Sequence, residues 1–231
     1  MIMYNALIGV CAGLALLLVP RYWALVRGIR MPLQLTRSAN PSAWAVTFGA
    51  LGAVLTALAF TATITHPLAA AKPYLDTLFA EPSLLLGVLL LAATWRLRRQ
   101  RGVLGQPQIA ALAGPTGWII FALGVVLVWC CLAILRFDVI SAAPPTEPLT
   151  GLLHHHPVIE NTFFVAVLYG PAALGCLLVP AALNLRRRIT WAILYWSWTI
   201  AGIGFTLFSA LNYYTHTGML INDVSGTGYR W

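Results

Sequence analysis

Six apolar stretches, at residues 1–26, 43–65, 82–97, 109–135, 161–184 and 190–214, follow one another with only short polar connections between them. A helix needs about 20 apolar residues to cross the hydrocarbon core of a bilayer. In lipid every backbone N–H and C=O must find its partner within the segment. The pattern therefore restricts the chain to an all-α fold, a polytopic membrane helix bundle of about six transmembrane helices forming one transmembrane domain over 1–231. Composition agrees: 9% of residues are charged, against about 25% in an ordinary soluble domain. The third stretch is the short one. From Pro82 to Leu97 it either thins the bilayer around it or extends upstream through "KPYLDTLFAE" with a kink at Pro82.

The first stretch is read as a retained span. A secretory signal starts with positive charge and ends at a small-residue cleavage site, whereas "MIMYNALIGVCAGLALLLVPRYW" places its basic residues after the apolar run. Cys11, Cys130, Cys131 and Cys176 all lie inside apolar runs without metal-type spacing to a histidine. They are expected to act as small packing residues.

Charge sets the expected orientation. Arg21, Arg27, Arg30 and Arg37 follow the first span, Arg96, Arg98, Arg99 and Arg101 the third, and Arg186, Arg187 and Arg188 the fifth. No acid accompanies them. Asp76, Glu81, Asp138, Glu147, Glu160 and Asp223 all fall on the opposite side, with Lys72, Arg136 and Arg230. The positive-inside rule puts the arginine-rich connections in the cytoplasm and both termini outside. Nearly all the basic residues are Arg and alanine is abundant, a hint of a GC-rich bacterial genome, so a bacterial cytoplasmic membrane is the expected location. The net charge of +8 follows this topology and does not mark a nucleic-acid surface.

Within the spans, Gly9 and Gly13 stand four apart, as small residues do where helix backbones approach in lipid. Trp191, Tyr195, Trp198, Gly202 and Phe205 recur at alternating spacings of four and three, which aligns them on one helix face. That face serves helix packing and an interfacial belt, or the edge of a quinone, carotenoid or haem. Gly114–Pro115 and Gly170–Pro171 predict kinks whose freed carbonyls need partners.

The ionisable residues gather at the expected outer face. His66 closes span two, His154, His155 and His156 precede span five, and His216 closes span six. The proline-rich connection 137–157 is expected to be an ordered loop or cap. Pro157 biases His156 towards extended backbone. His154 and His156 would then share a face, a half-site for Cu or Zn that His66, His216, Glu81 or Glu160 would have to complete. Haem bound by His66 and His216 is a weaker alternative, since both lie at span ends. Glu81 and Glu160 stand at outer span entrances, where a helix start favours a carboxylate, and the shortness of span three brings Glu81 close to the hydrocarbon boundary. No nucleophile–base pair, phosphate loop or HExxH motif is present, so nothing points to an enzyme.

The stretch "THPLAAAKPYLDTLFAEPSLLLGVLLLAA" (Thr65 to Ala93), together with "EPLTG" and the terminal "NYYTHTG", resembles the bacterial and archaeal membrane family catalogued as domain of unknown function 981. The resemblance runs from about Ala43 to His216. The chain departs from it in its longer His-rich loop and in Ala80, where Gly is more usual. It implies a polytopic membrane protein and supplies no catalytic residues. Three functions are compatible with these features. The first is a non-catalytic accessory subunit of a larger membrane complex, respiratory or otherwise energy-converting, whose partners are the lipid bilayer and other membrane subunits. The second is a metal- or cofactor-binding protein with an outer-face site. The third is a small transporter, which lacks the ionisable midplane residue and inverted repeat it would need.

Overall fold

The computed structural model describes residues 3–34, 36, 38–69, 72–100, 106–140, 143–182 and 188–225. Arg37, Arg101, Asn184, Arg186, Arg187 and Arg230 lie outside the described residues. The elements are α1 (Met3–Val26), α2 (Pro41–Thr65), α3 (Pro73–Arg98), α4 (Gln106–Phe137), a 3-10 turn (Thr150–Leu153), α5 (Pro157–Phe163), a π-helical segment (Phe164–Tyr169), α6 (Gly170–Ala182) and α7 (Arg188–Ser225). From α5 to α6 the chain forms one rod, and six rods are long and apolar enough to cross a membrane. The protein is an all-helical polytopic bundle, with no strand among the described residues.

Local chemistry sets the helix ends. Asn40 caps α2 by accepting from the Ser42 N–H at 3.0 Å, and Pro41 occupies the first helical position, where its missing N–H costs nothing. His66 ends α2 in a left-handed conformation (φ 42°). Helix α3 starts at Pro73, upstream of Pro82. Of the two forms open to the third span, the longer is the one present. Its proline is accommodated by a specific contact. Pro82 cannot donate to the Leu78 carbonyl one turn back, and the Tyr169 hydroxyl donates to that carbonyl instead, at 2.9 Å.

The Gly170–Pro171 expectation resolves differently from a simple kink. The Gly170 N–H bonds to Val165 O, a π-type step, and the segment before Pro171 is wound as a π-helix. Helix α4 continues through Pro115. Helix α7 runs well past the expected end at 214. Its 38 residues span about 57 Å against a hydrocarbon core of about 30 Å. His216 consequently lies within a projecting helix and not at a span end.

Three helix pairs dominate the packing: α2 with α3, α1 with α7, and α4 with α6, with α6 also lying along α7. Helices α3 and α4 touch only sparsely. Each main pair closes over glycine. A Cβ on Gly13 would lie 2.8 Å from the Gly202 carbonyl, one on Gly87 2.8 Å from the Thr56 N, and one on Gly124 2.9 Å from the Leu177 N. Gly9 faces Ser209 on α7 in the same way. Gly9, Gly13 and Gly202 thus serve internal packing. In lipid such contact replaces the hydrophobic drive that joins helices in water.

Gly87 and Gly114 should respond oppositely to alanine. An added methyl at Gly114 meets nothing within 4 Å among the described residues, so Gly114→Ala is expected to gain up to about 1 kcal/mol of helix propensity. Gly87→Ala is expected to lose about 1–3 kcal/mol by forcing the backbones apart. Thermal melts of both variants in one detergent check the sign.

Candidate functional site

The bundle has two chemically different ends. Tyr4 meets Asp76 across the starts of α1 and α3, and Arg27 meets the Ala182 carbonyl at the other ends of α1 and α6. Successive spans therefore alternate in direction. Among the described residues one end carries the acids and histidines with Lys72 and Arg136, and the other carries the remaining arginines.

At the acidic end, buried polar side chains hold the connections. Asp76, 1% exposed, accepts from the Tyr4 hydroxyl at 2.6 Å and from the Leu68 N–H at 2.7 Å. One carboxylate so joins α1, the α2–α3 turn and α3. Asn161, also buried, accepts from the Ile140 N–H at 3.1 Å and donates to Asp138 Oδ1 and to the Pro157 carbonyl. Glu160 accepts from the Ala143 N–H at 3.3 Å, and His154 Nδ1 stands 2.9 Å from the Ala143 carbonyl, positioned to donate to it. His216 Nε2 lies 3.4 Å from Glu147 Oε1, and Asn222 Nδ2 donates to the Thr146 carbonyl, so the projecting part of α7 supports the proline-rich connection. Lys72, half-buried before α3, has its ammonium pushed below the usual range by burial and pulled back upward by Glu160.

The sequence-derived histidine site does not assemble as an extended strand. Thr150–Leu153 form a 3-10 turn, His154 has helical backbone (φ −49°, ψ −35°), and the His156 N–H folds back onto the Leu153 carbonyl. The rings in contact are those of His154 and His155, with centroids 5.1 Å apart. The glycine and proline content of "TGLLHHHP" favours a tight local turn over extended backbone. His66 is an exposed helix cap, and His156 precedes α5 without capping it. Among the described residues no group of three or more His, Cys, Asp or Glu is disposed to hold a metal ion.

The aromatic face of α7 divides. Arg27 lies over the Trp191 ring and Arg21 over the Tyr195 ring, each at 5.2 Å. Arg21, 3% exposed, also donates to the Leu17 and Leu33 carbonyls at 2.6 and 2.9 Å. Burial pushes the Arg27 guanidinium below its usual pKa, and the ring face and the Ala182 carbonyl offset part of that cost. Trp198 and Phe205 instead face a cavity. Its volume is about 610 Å³, and it runs between α1, α3, α4 and the α6–α7 wall. Lining residues on α1 extend from Asn5 to Val26, about 32 Å of helix, so the space is a narrow slot nearly as long as the membrane is thick.

Glu81 is not at the entrance of its span. It lies in the third turn of α3, exposed, with no hydrogen bond or ion pair among the described residues. Leu97, beside the arginines at the other end, is sixteen residues away, about 24 Å along the helix. With the hydrocarbon boundary set at Leu97, a core of about 30 Å would extend about 6 Å beyond Glu81. Sequence reasoning missed the roles of Asp76, Asn161, Glu147 and Tyr169. For Asp76 a signal existed, an acid in the first turn after Pro73, but its partner Tyr4 is 72 residues away.

A family model described as "Protein of unknown function (DUF981)" matches residues 1–219. The chain belongs to this family. The match reaches beyond the stretch from Ala43 to His216 and takes in α1, whose Tyr4 pairs with Asp76. No curated protein and no solved structure matches the chain.

Asn161 holds both sides of the 138–156 connection in this DUF981 protein. Asn161→Ala is expected to leave the Ile140 N–H unpaired, lowering stability by about 1–3 kcal/mol and exposing the connection to proteolysis. Limited digestion and a melt of the same sample test this, and cleavage rates equal to wild type would contradict it.

Proposed function

We propose that the protein is a non-catalytic accessory subunit of a larger membrane complex, set in a bacterial cytoplasmic membrane with its arginine end in the cytoplasm and both termini outside. The observation that carries this reading is Glu81. A carboxylate exposed to hydrocarbon is costly and calls for a partner or a proton. No side chain among the described residues supplies that partner. A basic or hydrogen-bonding residue on a transmembrane helix of another subunit fits the position, and neighbouring exposed Tyr74 and Val88 give that helix an apolar surface to lie on.

The absence of catalysis is supported by how the remaining ionisable groups are used. Asp76, Glu160, Glu147 and His154 each engage backbone or another side chain in holding the acidic end together. The orientation is supported by the separation of arginines from acids, which follows the positive-inside rule.

Extraction from the native membrane in a mild detergent, followed by native mass measurement, tests the assignment. The expected result is a complex heavier than the chain and its lipid. Glu81→Lys is expected to reduce co-purification by about tenfold or more, the scale of truncating a desolvated interfacial pair, with the chain's own melting point little changed. A clean monomer from native membranes, or co-purification indifferent to Glu81→Lys, contradicts it.

A further inference from the structure

The slot has a polarity that Glu81 and the accessory role do not use. Its walls are apolar for most of their length, with Leu78, Leu86, Leu123, Leu127 and Phe208 among them. Arg96, near the arginine end, is the one charged residue among those described as lining it. Its guanidinium is half-buried and makes no hydrogen bond or ion pair among the described residues. The neighbouring Arg99 is differently occupied, stacked over the Trp95 ring at 4.0 Å. Tyr22 lines the same end of the slot, and its hydroxyl is buried without a hydrogen-bond partner among the described residues. A buried hydroxyl left unpaired is costly, so Tyr22 and Arg96 present two unused donors at the foot of a long apolar space.

The slot also opens sideways. Helices α3 and α4 scarcely touch, and Trp95 on α3 and Ile119 on α4, both lining it, are 59% and 45% exposed. An occupant entering between α3 and α4 comes from the bilayer. A compact ligand would leave most of about 32 Å of lined length unfilled, whereas an extended acyl chain follows it. An anionic head then meets the arginine, the pattern by which basic pockets between membrane helices hold lipid head groups.

We infer that the protein binds an anionic phospholipid, with an acyl chain in the slot between α1, α3, α4 and α7 and its phosphate at Arg96 and the Tyr22 hydroxyl. The site does not use Glu81, which is not among the residues lining the slot.

The full chain, purified in a mild detergent and exchanged with vesicles of either phosphatidylglycerol or phosphatidylcholine, is repurified, and retained lipid is counted by native mass spectrometry. Wild type is expected to keep one lipid and to favour phosphatidylglycerol by about fivefold, the scale of one arginine near an anionic head. Arg96→Gln is expected to remove the preference while leaving total retention unchanged. Arg96→Lys should keep most of it, since phosphate accepts a point charge, and the exposed Arg98→Gln should not alter it. Ala93→Phe, or Leu123→Phe should the first fail to fold, is expected to abolish retention of both lipids. Equal retention of the two lipids by wild type overturns the head-group assignment, as does displacement of lipid by inorganic phosphate alone. Undiminished retention in the folded slot variants overturns the slot.

Discussion

Close backbone contact over glycine is the interaction on which the rest of this structure depends. Apolar surface gains little from burial against other apolar surface in lipid, so helices associate where their backbones approach and dispersion and polar contacts accumulate. Gly13 against Gly202, Gly87 against Thr56, and Gly124 against Leu177 place such contacts in three separate helix pairs. Nothing comparable joins α3 to α4. The slot is the geometric consequence of this distribution, because tightly joined pairs leave their loosely joined neighbours apart.

Proline and buried polar groups then refine the frame. Pro82 frees the Leu78 carbonyl and the Tyr169 hydroxyl pairs with it, tying α3 to the π-helical segment across the bundle. Asp76 and Asn161 do similar work at the acidic end, where each buried side chain bonds more than one segment. A buried polar group that is fully paired specifies one arrangement, because every competing arrangement leaves it unpaired. The arginine end is built on another principle. Arg21 and Arg27 use carbonyls and ring faces in place of carboxylates.

The spans, their number and the sorting of charge were legible because they rest on hydropathy and the period of the helix, both local properties of the chain. Gly9, Gly13 and Gly202 were legible as packing residues for the same reason. The backbone of the histidine stretch was not legible because a His-Pro junction biases one residue, while the turn at Thr150–Leu153 is held by bonds to the chain before it, from the Gly151 N–H to the Glu147 carbonyl and from the Thr150 hydroxyl to the Pro148 carbonyl. The position of Glu81 along its helix was not legible, because it depends on where α3 begins, and Pro82 leaves that start open in the sequence. The slot and the Tyr4–Asp76 pair were not legible. Both arise between helices distant in sequence, and no single span carries a sign of them.

Helices α3 and α4 stand apart along a slot running from Asn5 to Arg96. An experimental structure of the full chain in phosphatidylglycerol nanodiscs tests it directly. The expected result is elongated density in that slot, ending against Arg96 and Tyr22, with α2–α3 and α1–α7 closed over their glycines. Helices α3 and α4 packed against each other with no space between them would contradict it.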